Sequence, residues 1–534
     1  MFYEKLVCSA MSQSKVFLRE ATGLVRSFTW YDATILSLAV TGPTIFGISS
    51  QFGYVAPANP GADFGLSAAI GFLFMIPLAI VYYLFSIQMP RSGGDYIWLG
   101  RTLNPILGFI GGWAMFLSFI MLLASASVTE PGVVMPDVAV ALGYVWNNPG
   151  LISWGQNVAS SNTNLFLGTL LTVGIGVLIA AFTPRVYSKI MLILAGIIFL
   201  ATFIFIGAFA LATPSSFAAG LSAMTNGNVT VSGLVSQSAS AGMPYAPVTM
   251  AATFLAVPFG VLLFNGFNYS VYISGEVRNV KHGMFWGVLV ALIICGILDI
   301  AGLYAIEGTM GFPFIQAVWN LSSAGKFSMV VPPWAPLFIP AVVANPYLSS
   351  FVEIGFLLFN FWWAAGLAIC ISRYVFAFSF DRVLPTVFAD VNDRLHVPLK
   401  AVGLTMVVAV IFIILSIYTS YIGQLLNVTV IWTIVWIMVG ISAIILPSWR
   451  KQFASGLPGG KILLPLFGVL TIIGMGATFY WGVTNSGLGP TGPGSLEFIL
   501  GLFGSGLVIY LARYFYFKGK GLDLIKGQME IPPE

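Results

Sequence analysis

From Ile190 to Gly275 the chain carries no aspartate, glutamate, lysine or arginine, and four more long runs share that property. They extend from Phe64 to Met89, Val138 to Pro184, Ala401 to Trp449 and Ile462 to Leu496. A helix needs roughly 20 apolar residues to cross the hydrocarbon core of a bilayer, so each run holds one or two crossings. Across all 534 residues, 58% are hydrophobic and 7% charged, whereas a soluble domain carries about 25% charged residues. These features predict an all-α polytopic membrane protein whose first partner is the lipid bilayer.

Twelve spans are predicted, at residues 31–55, 64–89, 105–128, 164–182, 187–213, 250–276, 284–307, 350–378, 400–418, 424–447, 462–482 and 496–516. An even number puts both termini on one side. The distribution of cations tests this layout independently, because cytoplasmic loops are enriched in Lys and Arg. Arg91, Arg101, Arg185, Lys189, Arg278 and Lys281 fall in loops assigned to the inner side, as do Arg382, Arg394, Lys400, Arg450, Lys451 and Lys461. Of 22 Lys and Arg residues, only Lys326 falls in an outer loop. Both termini are therefore expected to be cytoplasmic, with tails at 1–29 and 517–534. The first tail carries Glu4, Lys5, Lys15, Arg19, Glu20 and Arg26 and lacks the long apolar core and small-residue cleavage site of a signal peptide. The net charge of +4 follows from this orientation, and nothing points to nucleic acid. Cys8, Cys295 and Cys370 have no metal-ligand or disulfide spacing, so no metal or other cofactor is expected. The uncharged, Ser/Ala/Gly-rich segment 214–249 reads as an outer loop, with glycosylation-type sequons at Asn228 and Asn320 on that face.

Two spans are interrupted. The first contains Thr41-Gly42-Pro43-Thr44, and the sixth contains Leu263-Phe264-Asn265-Gly266 just after Pro258 and Gly260. Proline removes a backbone donor and clashes one turn back. Unwound backbone at membrane depth is tolerated only where it is buried or lines a cavity. Paired interruptions in corresponding halves of a membrane chain point to a transporter binding site. Spans 1–5 (residues 30–213) and 6–10 (residues 250–447) therefore read as inverted repeats, with spans 11 and 12 (residues 448–516) appended.

Three further strings carry a family likeness. PRSGGDYIWLGRTLNPILGFIGGW (Pro90 to Trp113), NGFNYSVYISGEVRNVKHGMFWG (Asn265 to Gly287) and SRYVFAFSFDRVLPTVFADVNDRLHVP (Ser372 to Pro398) resemble signatures of the amino acid–polyamine–organocation superfamily. TGPTIFG resembles its small-residue break in span 1. Together the matches cover residues 30–450. The resemblance implies a leucine-transporter-type 5+5 inverted repeat that works by alternating access. It places a substrate carboxylate near N–H groups of Thr41, Gly42, Pro43, Thr44 and Ile45. The amine then meets carbonyls at Leu263, Phe264, Asn265 and Gly266. It also makes Tyr96 an inner-gate tyrosine.

The sequence departs from that pattern at several positions. Pro43 stands where the family commonly offers an N–H, and Thr44 where glycine is usual; the Thr44 hydroxyl is a candidate replacement donor. Leu262 occupies the position of an aromatic lid, and Asn268 that of a glutamate used in gating or proton coupling. Span 5 lacks the mid-helix lysine that stands in for a sodium ion in proton-coupled relatives. H+ and Na+ both remain open as coupling ions.

Charges at bilayer depth are costly, by at least about 2.5–3.5 kcal/mol, so the intramembrane carboxylates are the candidates for coupling. Asp299 is the deepest, and reads either as a coupling switch or as a structural aspartate. Glu130, Glu307 and Glu353 lie toward outer helix ends, where solvated or paired roles are expected. Asp32 and Glu276 sit at inner ends and are expected to join a gate network with Arg91, Arg278 and Arg373. His282 and His396 fall in inner loops. Trp362, Trp363, Trp432 and Trp436 read as core or as walls of the site, and the glycines at 108, 111, 112, 501, 504 and 506 as close-packing positions.

These features predict a secondary transporter for a small neutral amino acid or related metabolite. The absence of acidic residues at either break disfavours polyamines, and the absence of Lys or Arg there disfavours dicarboxylates. A second reading keeps the fold but carries a solute without a free carboxylate, such as a nucleobase-like or amide compound; a third is a non-transporting sensor. An enzyme would need convergent catalytic groups at one membrane level and a channel a polar pore lining, and the sequence presents neither.

Overall fold

The computed structural model describes residues 23–329, 331–419, 426–449, 460–485 and 495–529. Cys8, the tail charges before residue 23, Arg450, Lys451 and the expected start of span 10 at residue 424 lie outside the described residues. Among those described, 12 helices are long and apolar enough to cross a membrane. Large apolar side chains line their outer faces at helical spacing: Leu167, Leu171 and Leu178 on span 4, and Ile193, Leu200 and Phe203 on span 5, are all more than half exposed. Such a stripe suits lipid and not water. The chain is a multi-pass membrane protein.

Span 1 is two half-helices, Trp30–Thr41 and Ile45–Ala58. The first starts with a capping box, in which Thr29 and Asp32 satisfy each other's end of the turn. It stops at Gly42, whose left-handed backbone (φ 72°, ψ 51°) turns its N–H back to the Leu38 carbonyl at 2.9 Å. Pro43 cannot rejoin the ladder, and the chain passes through extended Thr44 before the second half begins. Span 6 is α-helical over Met250–Leu263 and then tightens into a 3₁₀ stretch, Asn265–Glu276. Both breaks thus fall at the predicted residues.

Three elements differ from expectation. Span 3 does not end at residue 128. A π turn at Glu130–Val134, containing Pro131, carries the helix on to Val145, since a wider turn absorbs the proline without ending the helix. The segment 214–249 holds two helices, Pro214–Met224 and Val231–Ser240. Their N-caps Thr213 and Thr230, with Pro214 in the first turn, outweigh a composition that reads as loop. Close packing holds for Gly108, where a Cβ would lie 2.4 Å from the Gly100 Cα. It does not hold for Gly501 and Gly504, beside which there is open space.

Candidate substrate site and closed end

The two breaks press against each other. A Cβ at residue 266 would lie 2.1 Å from the Thr41 amide nitrogen, so only glycine lets span 6 approach this closely. Nearby, the Ser270 N–H donates to the Ser37 hydroxyl (3.1 Å) and Gln51 Nε2 to the Phe259 carbonyl (3.2 Å). Beside this junction lies a cavity of about 70 Å³. At ~10–15 Å³ per water-sized sphere, it suits a small solute.

Both breaks contribute to its lining: Val40, Thr41 and Phe46 from span 1, and Leu262, Leu263 and Asn265 from span 6. Gly47, Ser50, Gln51 and Tyr54 continue the span 1 wall. Leu122 and Ala126 of span 3 and Phe359, Asn360 and Trp363 of span 8 close it. Phe46 and Phe359 stack with centroids 4.8 Å apart. Behind Asn360 stands Glu130, whose carboxylate accepts from Asn360 Nδ2 at 2.7 Å.

The structure redistributes the predicted cradle. Thr41, Leu262, Leu263 and Asn265 line the cavity, while Gly42, Pro43, Thr44, Ile45, Phe264, Gly266 and Asn268 do not. Pro43 has no N–H. The Thr44 N–H turns to the Gly42 carbonyl at 2.7 Å, and the Ile45 N–H faces the Thr202 hydroxyl at 3.4 Å. Thr44 Oγ1, the expected replacement donor, also points to the Gly42 carbonyl, at 3.4 Å. Phe46 and Gly47, in the first turn of the second half-helix, both line the cavity, and first-turn amides lack an intrahelical partner. Phe264 packs edge-on against Phe72. Asn268 is buried and neither amide atom has a partner.

The arginine-rich end of the bundle is closed by three buried carboxylates. Glu276 forms a two-point pair with Arg373 (2.7 and 2.9 Å) and also meets the Ser92 hydroxyl. Asp381 accepts from Arg101 at 2.9 Å and from the Tyr96 hydroxyl at 2.6 Å. Asp95 accepts from the hydroxyls of Tyr82 (2.9 Å), Tyr272 (3.1 Å) and Tyr374 (2.5 Å), and from the Tyr96 N–H. These contacts tie spans 2, 6 and 8 to the short helix Asp95–Thr102. The segment before span 1 joins them, with Phe28 N–H donating to the Glu276 carbonyl and Arg278 N–H to the Phe28 carbonyl.

Glu276 thus meets Arg373 as expected. Asp32 does not reach that pair: it caps its own helix through the Thr29 N–H and hydroxyl (2.8 and 2.7 Å), and it shares a cleft with Arg185, Lys189 and Arg278. Asp299 is buried with neither oxygen partnered and does not line the cavity. Glu130 is buried and paired with the Asn360 amide, while Glu353 is buried with neither oxygen partnered. Glu307 is also buried and caps span 2 through the Phe64 and Gly65 amides. Asp95 and Asp381 drew no role from the sequence alone. The one local signal was an acid inside the otherwise uncharged stretch Ser92–Gly100; its tyrosine partners lie up to 279 positions away.

A family model described as amino acid permease matches residues 28–503. The chain is 23% identical over 403 residues to a methylthioribose transporter of Bacillus subtilis, covering 75% of this chain and 76% of that one. It is 22% identical over 449 residues to the branched-chain amino acid permease BcaP of Lactococcus lactis, covering 82% and 84%. It is 20% identical over 465 residues to cationic amino acid transporter 5 of Arabidopsis thaliana, covering 86% and 72%.

Proposed function

Because the chain belongs to the amino acid permease family, we propose that it is a secondary transporter in which one small neutral solute binds between the breaks of spans 1 and 6. The observation that carries this reading is the cavity itself, which takes lining residues from both breaks and has no Asp, Glu, Lys, Arg or His among them. Solute entering from the outer side meets Phe46, Leu262 and Phe359. Release to the inner side requires the Glu276, Asp381 and Asp95 contacts to part, which gives alternating access its inner gate. Tyr96 acts in that gate through Asp381, and Asp32 by holding the start of span 1.

A neutral amino acid is the first solute class to examine, as the name of the Lactococcus relative suggests. A solute without a carboxylate is the second, favoured by the absent N–H of Pro43 and the committed N–H groups of Thr44 and Ile45. For coupling by H+ or Na+, Asp299 is the group we put forward; like Asp137 and Glu353 it is a buried carboxylate with neither oxygen partnered, which is costly at bilayer depth unless it has a function.

Counterflow of labelled amino acids, nucleobases, amides and sugars in proteoliposomes tests the proposal. Movement of one of them is expected, and none moving with folded protein would overturn it. In the same vesicles, Asp299→Asn should abolish the dependence of uptake on the driving ion gradient; an unchanged dependence would return Asp299 to a structural role.

A further inference from the structure

The polar side chains around the cavity share one property. Gln51 donates its amide N–H to the Phe259 carbonyl, Asn265 to the Leu262 carbonyl and Asn360 to the Glu130 carboxylate. The partners of Gln51 and Asn265 are backbone carbonyls, which can only accept, so those two amide orientations are fixed by chemistry and their amide oxygens are left over. All three oxygens, Gln51 Oε1, Asn265 Oδ1 and Asn360 Oδ1, are buried and have no partner. The two aliphatic hydroxyls follow the same pattern: Thr41 donates to the Ser37 carbonyl and Ser50 to the Gly47 carbonyl, both at 2.7 Å. Five side chains on one small cavity thereby present an oxygen able to accept. A buried acceptor without a donor costs about 1–3 kcal/mol, and a solute bearing donors would remove that cost.

Charge narrows the ligand further. No ionisable acid or base lines the cavity apart from the Tyr54 phenol. The turn at Pro43 offers an anion little, since two of its amides are already committed. A zwitterion would bring two charges against lining residues that carry no countercharge, and desolvating a charge costs more than desolvating a hydroxyl. Hydroxyl groups suit the site on both counts. Their protons meet the amide oxygens, and their lone pairs can accept from the Phe46 and Gly47 amides or the Trp363 indole. The aromatic wall of Phe46, Phe359 and Trp363, with Leu122 and Leu262, leaves room for one apolar arm.

The geometry points to a neutral, polyhydroxylated solute that carries a short apolar arm and no carboxylate. This rests on the cavity being the solute site, and it selects among the solutes that reading admits.

Three probes sharing a thioether arm separate the polar heads. 5-Methylthioribose presents hydroxyls, L-methionine an ammonium and a carboxylate, and methioninol an ammonium and one hydroxyl. Titration calorimetry on the purified wild-type protein should show methylthioribose binding at least tenfold more tightly than either of the others. In the same assay Gln51→Leu should weaken methylthioribose roughly 3–10-fold, the effect of one neutral hydrogen bond. Methionine binding as tightly as methylthioribose would overturn the inference in favour of a zwitterion site, and methioninol binding tightest would overturn it in favour of an amine site. If none of the three binds, the solute moved in counterflow decides: a carboxylate-free hydroxylated one supports the inference and any amino acid sinks it. A protein that moves nothing fails at the earlier reading, before this one is reached.

Discussion

Asp95 shows how far a single side chain can depart from what its neighbours in sequence suggest. It is fully buried and receives three phenol hydrogen bonds and one backbone N–H. Burial pushes its carboxyl above the usual carboxylate range, and the tyrosine hydrogen bonds pull the other way without cancelling that shift. A group whose folded value is raised contributes stability that is fully present below its unfolded value and is lost as pH rises through the folded one. Asp95→Asn, which cannot ionise, should therefore lose less stability than the wild type as pH climbs out of the acid range. Melting temperatures in detergent across pH would show the two curves converging at low pH and separating above it; parallel curves would mean that Asp95 does not titrate in this window. The three tyrosines come from spans 2, 6 and 8, so no local pattern around Ser92–Gly100 could have announced them.

At the scale of elements, the broken helices were the most legible feature of the sequence. Gly42 followed by Pro43 ends a helix for reasons confined to two residues: a left-handed backbone and a missing donor. What the break does with its freed groups was not legible. Thr44 and Ile45 looked like donors for a ligand, but the turn folds back on the Gly42 carbonyl and span 5 reaches in through Thr202. Gly266 has its meaning only across elements, because its missing Cβ is the space that the Thr41 backbone fills. Gly266→Ala should force spans 1 and 6 apart at a backbone contact that no rotamer can relieve. A loss of about 1–3 kcal/mol is expected from overpacking, with solute uptake reduced at least tenfold in protein that still inserts. Normal uptake by the alanine variant would show that the breaks need not touch for transport. The helices in 214–249 make the complementary point, since capping residues at Thr213 and Thr230 were present in the sequence but were outweighed by its composition.

For the whole molecule, the asymmetry of charge predicts orientation, and labelling can test it directly. Lys326 is exposed on the side assigned as outer, and His282 is exposed on the side assigned as inner. The described cysteines, Cys295 and Cys370, are buried. In a Cys8→Ser background, Lys326→Cys should react with a membrane-impermeant maleimide added to intact cells, and His282→Cys should react only after permeabilisation. The reverse pattern would invert the topology. Apolar length, charge-free runs and helix breakers together determined from sequence alone that this is a twelve-span membrane protein interrupted in spans 1 and 6, because those features act within one or two turns of chain. Which acceptors face the cavity, which carboxylates close the arginine-rich end and which glycines stand between backbones were decided only by the tertiary structure. The cavity, the carboxylate pairs and the close approaches each need a second span, and they exist only once folding has brought both sides together.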